Sequence, residues 1–229
     1  MSMLHLTSAG REMLDTRKLP IETRIVELEG LPIILKALRK LADGLPGDLH
    51  YHSLQHTCDV LHETINFAVR DQVDDRKVEL LAIAAAYHDT GFLVQRFGNE
   101  PIGAEYAREA MIESGGYSTV EIELVQQLIL DTRMSLTREG LKQVPSCELS
   151  TYLLDADLGN LGRDDFFEKG ELHRREAGWS EAEFLYFAYN ILRHHYWHSR
   201  SAFDLRQAKK LANIEALEER LARLNQESR

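Results

Sequence analysis

The sequence is poor in cysteine: Cys58 and Cys147 are the only two in 229 residues. They form no C-x-x-C metal pair and no disulfide framework, so a reduced, cytoplasmic setting is expected. Proline and glycine are sparse too, at five and fourteen residues, which leaves little room for a disordered tail. No run of about 18 apolar residues occurs, and the opening MSMLHLTSAGREMLDTRKLP lacks a continuous apolar segment of the secretory type. The expectation is an unexported protein with no membrane partner. Positive charge is also short, with 27 Lys and Arg against 37 Asp and Glu and a net charge of −10. That balance argues against a general binder of nucleic acid or anionic lipid. It leaves room for a small anionic substrate, because a bound cation inverts the local field.

What is present reads as helix. Hydrophobic residues make up 44% and charged residues 28%, enough to bury a core. Apolar positions recur with a helical period nearly throughout, while alternating β-branched runs are scarce. A helix is predicted near 32–43, ended by Asp43-Gly44 and Pro46, and Ser53 is placed to cap another reaching Val69. The next, near 74–88, contains VELLAIAAAYHD, apolar almost all round and therefore central. Asn99 can cap EPIGAEYAREAMIES, stopped by Gly115-Gly116, and Ser118 or Thr119 can start VEIELVQQLILDT. Further helices are predicted near 147–156, 164–177, 180–197 and 201–226. The last carries Leu205, Leu211, Ile214, Leu217, Leu221 and Leu224 on one stripe, suited to core packing or to a homodimer. With no repeat and no linker, residues 1–229 read as one all-α domain.

Metal-capable residues in apolar surroundings mark three places. His52 and His56 stand about one turn apart at a helix start. His88-Asp89 closes the apolar helix. Asp155 and Asp157 follow an apolar run in LLDADLGNLG. Singly, each has an ordinary reading as a satisfied core histidine, a helix end or a turn. Jointly, imidazoles and carboxylates delivered by several helices suit a divalent ion such as Mn, Fe, Ni, Zn or Mg.

The run Tyr51-His52-x-x-x-His56-x-x-Asp59-Val60, then His88-Asp89, then Ala156-Asp157-Leu158-x-Asn160, resembles the HD superfamily of metal-dependent phosphohydrolases. The resemblance covers about residues 50–160. The segments NEPIGAEYA and LLDADLGNLG are similar to those of a bacterial subgroup of that superfamily, which extends it through a helical C-terminal region at about 161–229. It implies an all-helical HD fold, with His56, His88, Asp89 and Asp157 as ligands of one divalent metal ion. Asp155 remains the alternative to Asp157. His52 matches the histidine that protonates the leaving oxygen, and Asp89 is the carboxylate that would orient the attacking water. Of Arg96, Arg108, Arg133 and Arg193, Arg133 is the best placed to meet phosphate, and Glu100 would help position water or substrate. His195, with Trp197 and Ser199, matches a step of relatives within RHHYWHSR, where His194 and His198 are also one turn apart, and a structural or pocket-lining role is expected there rather than a second metal site.

The pattern departs from some relatives. Thr132-Arg133-Met134-Ser135 stands where these place a further histidine, and no histidine lies between His88 and His173, which favours a single metal. The Gly-Tyr-Pro extension of cyclic-di-GMP hydrolases is absent. The resemblance therefore implies hydrolysis of a phosphate ester, with a nucleotide or related small phosphorylated molecule as substrate. Two alternatives are an HD-type iron oxygenase and a catalytically silent metal-binding regulatory module.

Overall fold

Residues 78–87 decide the architecture. In helix α4 (Asp75–Tyr87) every side chain from Leu80 to Tyr87 is buried, so the helix must be enclosed on all sides. In the computed structural model, which describes residues 20–138 and 140–227, helices enclose it. They are α2 (Pro32–Gly44), α3 (Leu54–Arg70), α5 (Glu100–Ser114), α6 (Thr119–Asp131) and α7 (Ser150–Asp157). A short α1 (Ile21–Glu29) leans on α3. The C-terminal helices α8 (Phe166–Ala177), α9 (Glu181–His194) and α10 (Arg200–Glu227) complete the fold. One buried apolar cluster runs from Leu28 in α1 to Leu221 in α10, giving a single-domain all-α fold among the described residues. The share of the expected domain formed by residues 1–19, Glu139 and 228–229 lies outside them. No helix among the described residues is long and apolar enough to cross a membrane.

Local chemistry explains most boundaries. Ser53 Oγ accepts the His56 N–H at 3.3 Å and starts α3. Ser118 with Glu121, and Ser180 with Glu183, form reciprocal capping boxes at α6 and α9. Asn99 precedes α5 as expected, but it already has helical dihedrals and makes no side-chain cap. Its Nδ2 donates instead to the Arg96 carbonyl at 3.3 Å. Helix α9 stops at His194, short of the expected 197, because the chain turns extended at His195 and the His198 and Ser199 N–H groups donate to Asp155.

Two elements were not expected. Helix α1 is a nine-residue segment between two prolines, too short for its period to register. A two-stranded hairpin, β1 (Ser135–Thr137) and β2 (Gly140–Lys142), follows α6 with Leu136 opposite Leu141. It delivers Gln143 to the ends of α6 and α7, beside Thr132 and Asp157.

Candidate metal centre and its cavity

Three helix ends converge. His56 lies in the first turn of α3, His88 and Asp89 directly follow α4, and Asp157 is the last residue of α7. Glycine permits one of the approaches that fix this junction. A Cβ at Gly103 in α5 would lie 2.7 Å from the Tyr87 carbonyl oxygen and 3.1 Å from that of His88, so only glycine lets α5 pass so close to the end of α4.

The four side chains face one another. His56 Nε2 is 3.1 Å from Asp157 Oδ1 and 3.5 Å from Asp89 Oδ2. His88 Nε2 is 3.2 Å from Asp89 Oδ2 and 3.6 Å from Asp157 Oδ1. His56, His88 and Asp89 each offer a donor atom within 4.8 Å of the others, a spacing that fits a shared ion. Among the described residues no such group forms away from this cluster, and His194 instead holds the Asn190 carbonyl through Nδ1.

Two observations test whether these residues suit a metal. His88 Nε2 and Asp89 Oδ2 are buried yet lack hydrogen-bond partners: their 3.2 Å separation is not aligned for a hydrogen bond. Such orphaned groups are costly unless something shared lies between them. His88 Nδ1 sits 2.7 Å from the Ala85 carbonyl and must donate to it, which leaves the Nε2 lone pair directed into the cluster. That is the second hydrogen bond that metal-ligating imidazoles make. The donor set therefore fits a divalent ion.

Electrostatics agree with mutual compensation. Burial pushes the His88 pKa down, but the negative charges of the neighbouring Asp89 and Asp157 carboxylates overcome it and raise the value well above the ordinary one. Asp157 is likewise buried, which would raise its pKa, yet the imidazoles of His56 and His88 hold it far below the carboxylate range. No Lys or Arg among the described residues pairs with either carboxylate.

Asp155 is elsewhere. It is fully buried, and its carboxylate accepts the His198 N–H at 3.0 Å, the Ser199 N–H at 2.7 Å and the Ser199 hydroxyl at 2.7 Å. Those bonds anchor the start of α10 and use its lone pairs away from the histidines.

A cavity of about 490 Å³ opens over the cluster. Of the residues singled out in sequence, His52, Asp89, Glu100, Arg133 and Asp157 line it. His52 stacks on Phe92 with ring centroids 4.3 Å apart, and its Nδ1 pairs with Glu176 Oε1. The other oxygen of Glu176 accepts the N–H groups of Tyr51 at 2.8 Å and His52 at 3.0 Å. Burial lowers the His52 pKa, but the Glu176 bond and nearby carboxylates outweigh it and the net shift is upward. Against the opposing effect of burial, the same bond holds Glu176 down at about 2. Arg133 stands half-exposed at the rim, 3.4 Å from Glu100 Oε2. Arg96 also lines the cavity, pairing with Asp48 at 2.7 Å. Arg108 and Arg193 do not line it and face Glu105 and Glu218.

His195 does not line this cavity, contrary to its expected pocket role. It packs edge-on against Trp197, and its Nδ1 lies 3.0 Å from Lys210 Nζ. Burial first, and then the Lys210 charge, push its pKa down to about 3. The turn after α9 directs it to the α10 side instead.

Sequence reasoning missed Gln143, Glu176 and His173. Gln143 Nε2 donates to Asp157 Oδ2 at 2.6 Å and to the Thr132 carbonyl at 2.7 Å. None carries a local signal, since each acquires its role from a partner distant in the chain. No family model matches the chain, and neither does any curated protein or solved structure.

Proposed function

We propose that the protein is a metal-dependent phosphohydrolase, in which His56, His88, Asp89 and Asp157 hold one divalent ion. The observation that carries this reading is the pair of buried, partnerless atoms His88 Nε2 and Asp89 Oδ2, facing His56 and Asp157 beside a cavity that Asp89 and Asp157 line. When bound, such an ion supplies Lewis acidity, lowering the pKa of water and offsetting phosphoryl charge. The substrate is a phosphate ester of a small molecule, a class that includes nucleotides and related compounds.

The chain's own groups account for the remaining needs. Asp89, which lines the cavity, orients the attacking water in this reading. Gln143 fixes the carboxylate of Asp157. His52 is the proton donor: Glu176 occupies its Nδ1, so Nε2 is the nitrogen left to protonate the leaving oxygen as its bond to phosphorus breaks. Arg133 can exchange Glu100 for a phosphoryl oxygen at the rim.

The test is metal analysis of the purified protein combined with a screen of phosphate esters. One equivalent of metal with release of phosphate supports the proposal. Two equivalents of iron with oxygen consumption would support an oxygenase instead. One metal without turnover on any ester would support a regulatory module.

A further inference from the structure

Away from the carboxylates the cavity changes character. Helix α8 turns Phe166, Gly170 and His173 towards it, and α9 turns Phe184, Phe187 and Ile191, each set at helical spacing on one face. Gly170 brings these helices together, because a Cβ there would lie 2.3 Å from Phe184 Cζ. The wall that α8 and α9 contribute is thus largely aromatic and aliphatic.

Within that wall stands an imidazole. His173 lies 5.7 Å from Phe187, nearly parallel at 7°, and 5.3 Å from Trp179 between ring centroids. Neither of its ring nitrogens has a hydrogen-bond partner among the described residues, although the side chain borders the cavity. Burial, followed by the positive charge of His52, pushes its pKa down to about 4, so near neutral pH it offers one N–H and one lone pair.

The charges on the walls limit the substrate further. The lining arginines, Arg96 and Arg133, already face Asp48 and Glu100, and no lysine lines the cavity. Asp89, Asp157 and Glu100 contribute negative charge. A triphosphate would bring several charges with few cations to receive them, and an unpaired buried charge is costly. A single phosphate matches one ion, one released arginine and His52.

We propose that the substrate is a phosphomonoester whose alcohol half is apolar and uncharged, seated in the cavity against the wall that α8 and α9 form together, with its one polar group hydrogen-bonded to His173. This rests on the phosphohydrolase reading for the phosphate end, while the alcohol end stands on the walls alone. His173 is a specificity-determining residue that takes no part in the proton transfer assigned to His52.

The experiment has a binding arm and a turnover arm. The first uses metal-depleted protein and calorimetry, with quenching of tryptophan fluorescence as a second readout. The probes are 1-naphthol and the naphthalenediol isomers, which carry no phosphate. The best diol should bind about tenfold more tightly than naphthol, the worth of one hydrogen bond. His173→Phe, which keeps a ring on Phe187, should erase that preference while retaining naphthol. Absence of naphthol binding, absence of a diol preference, or a preference surviving in His173→Phe would each overturn the proposal.

The second arm supplies a divalent ion and compares naphthyl phosphate with glycerol phosphate and inorganic triphosphate. Naphthyl phosphate should lead in kcat/KM by about a hundredfold, as burial of its rings allows. Preference for triphosphate or glycerol phosphate would overturn the substrate class. Binding of the diols with no hydrolysis of any ester would sink the phosphohydrolase reading and, with it, the phosphomonoester assignment, leaving only the apolar compartment.

Discussion

Gln143 donates to Asp157 Oδ2 at 2.6 Å, while Asp157 Oδ1 lies 3.1 Å from His56 Nε2. The hairpin thus fixes one carboxylate oxygen and turns the other towards the imidazoles. Gln143→Leu should keep the fold but leave Asp157 free to rotate. Metal affinity should fall about tenfold to a hundredfold, the usual cost of losing such a supporting bond. Titration with a divalent ion checks this, and unchanged affinity would remove Gln143 from the site.

Asp157→Ala should remove both tight metal retention and activity. Elemental analysis after dialysis, beside the ester assay, is the measurement. A variant with normal metal content would overturn the assignment of Asp157 as a ligand.

Asp155→Ala should act oppositely. It strips the His198 and Ser199 N–H groups of a buried acceptor, so stability should fall by about 1–3 kcal/mol. Metal content per folded molecule should not change. Denaturant melts with metal analysis separate the two aspartates.

His52→Ala should retain metal yet lose rate by about a hundredfold to ten-thousandfold, the worth of acid catalysis. The rate needs protonated His52, so it declines as pH rises through the raised His52 pKa. Glu176→Gln weakens that upward shift and should bring the decline to lower pH. In stability, Glu176 contributes fully above its ordinary 4.5 and loses this as pH falls through about 2. His52 contributes fully below its ordinary 6.5 and loses this as pH rises through its raised value. The destabilisation by Glu176→Gln should therefore be greatest at about pH 5.5. Melts across pH that show a flat difference would remove the pair from the account.

Gly103→Ala should push α5 off the end of α4, because both obstacles are backbone oxygens that cannot rotate away. Overpacking of this kind costs about 1–3 kcal/mol. Thermal melts should show the loss, and metal retention should weaken with it, since His88 carries one of those carbonyls.

The sequence by itself determined where most helices run, because their signals are local: Ser53, Ser118 and Ser180 cap within three residues, and the apolar run of α4 can only be a core helix. It also marked His52 with His56, His88-Asp89 and Asp155 with Asp157, since polar groups at the ends of apolar helices stand out without coordinates, while the choice of His56 and Asp157 within those pairs came from the resemblance. It could not determine which way Asp155 and Asp157 point. Two residues turn about 200° on a helix, so one faces the histidines and the other α10, and only the packing of α7 on α3 selects which. The same holds for Gln143, Glu176 and His173, whose partners lie on other elements, and for His195, which a three-residue difference in where α9 ends sends away from the cavity. Helix formation is settled by neighbours in the chain, whereas the partner of His52 and the shape of the cavity depend on residues that meet only when α8 and α9 close against the core.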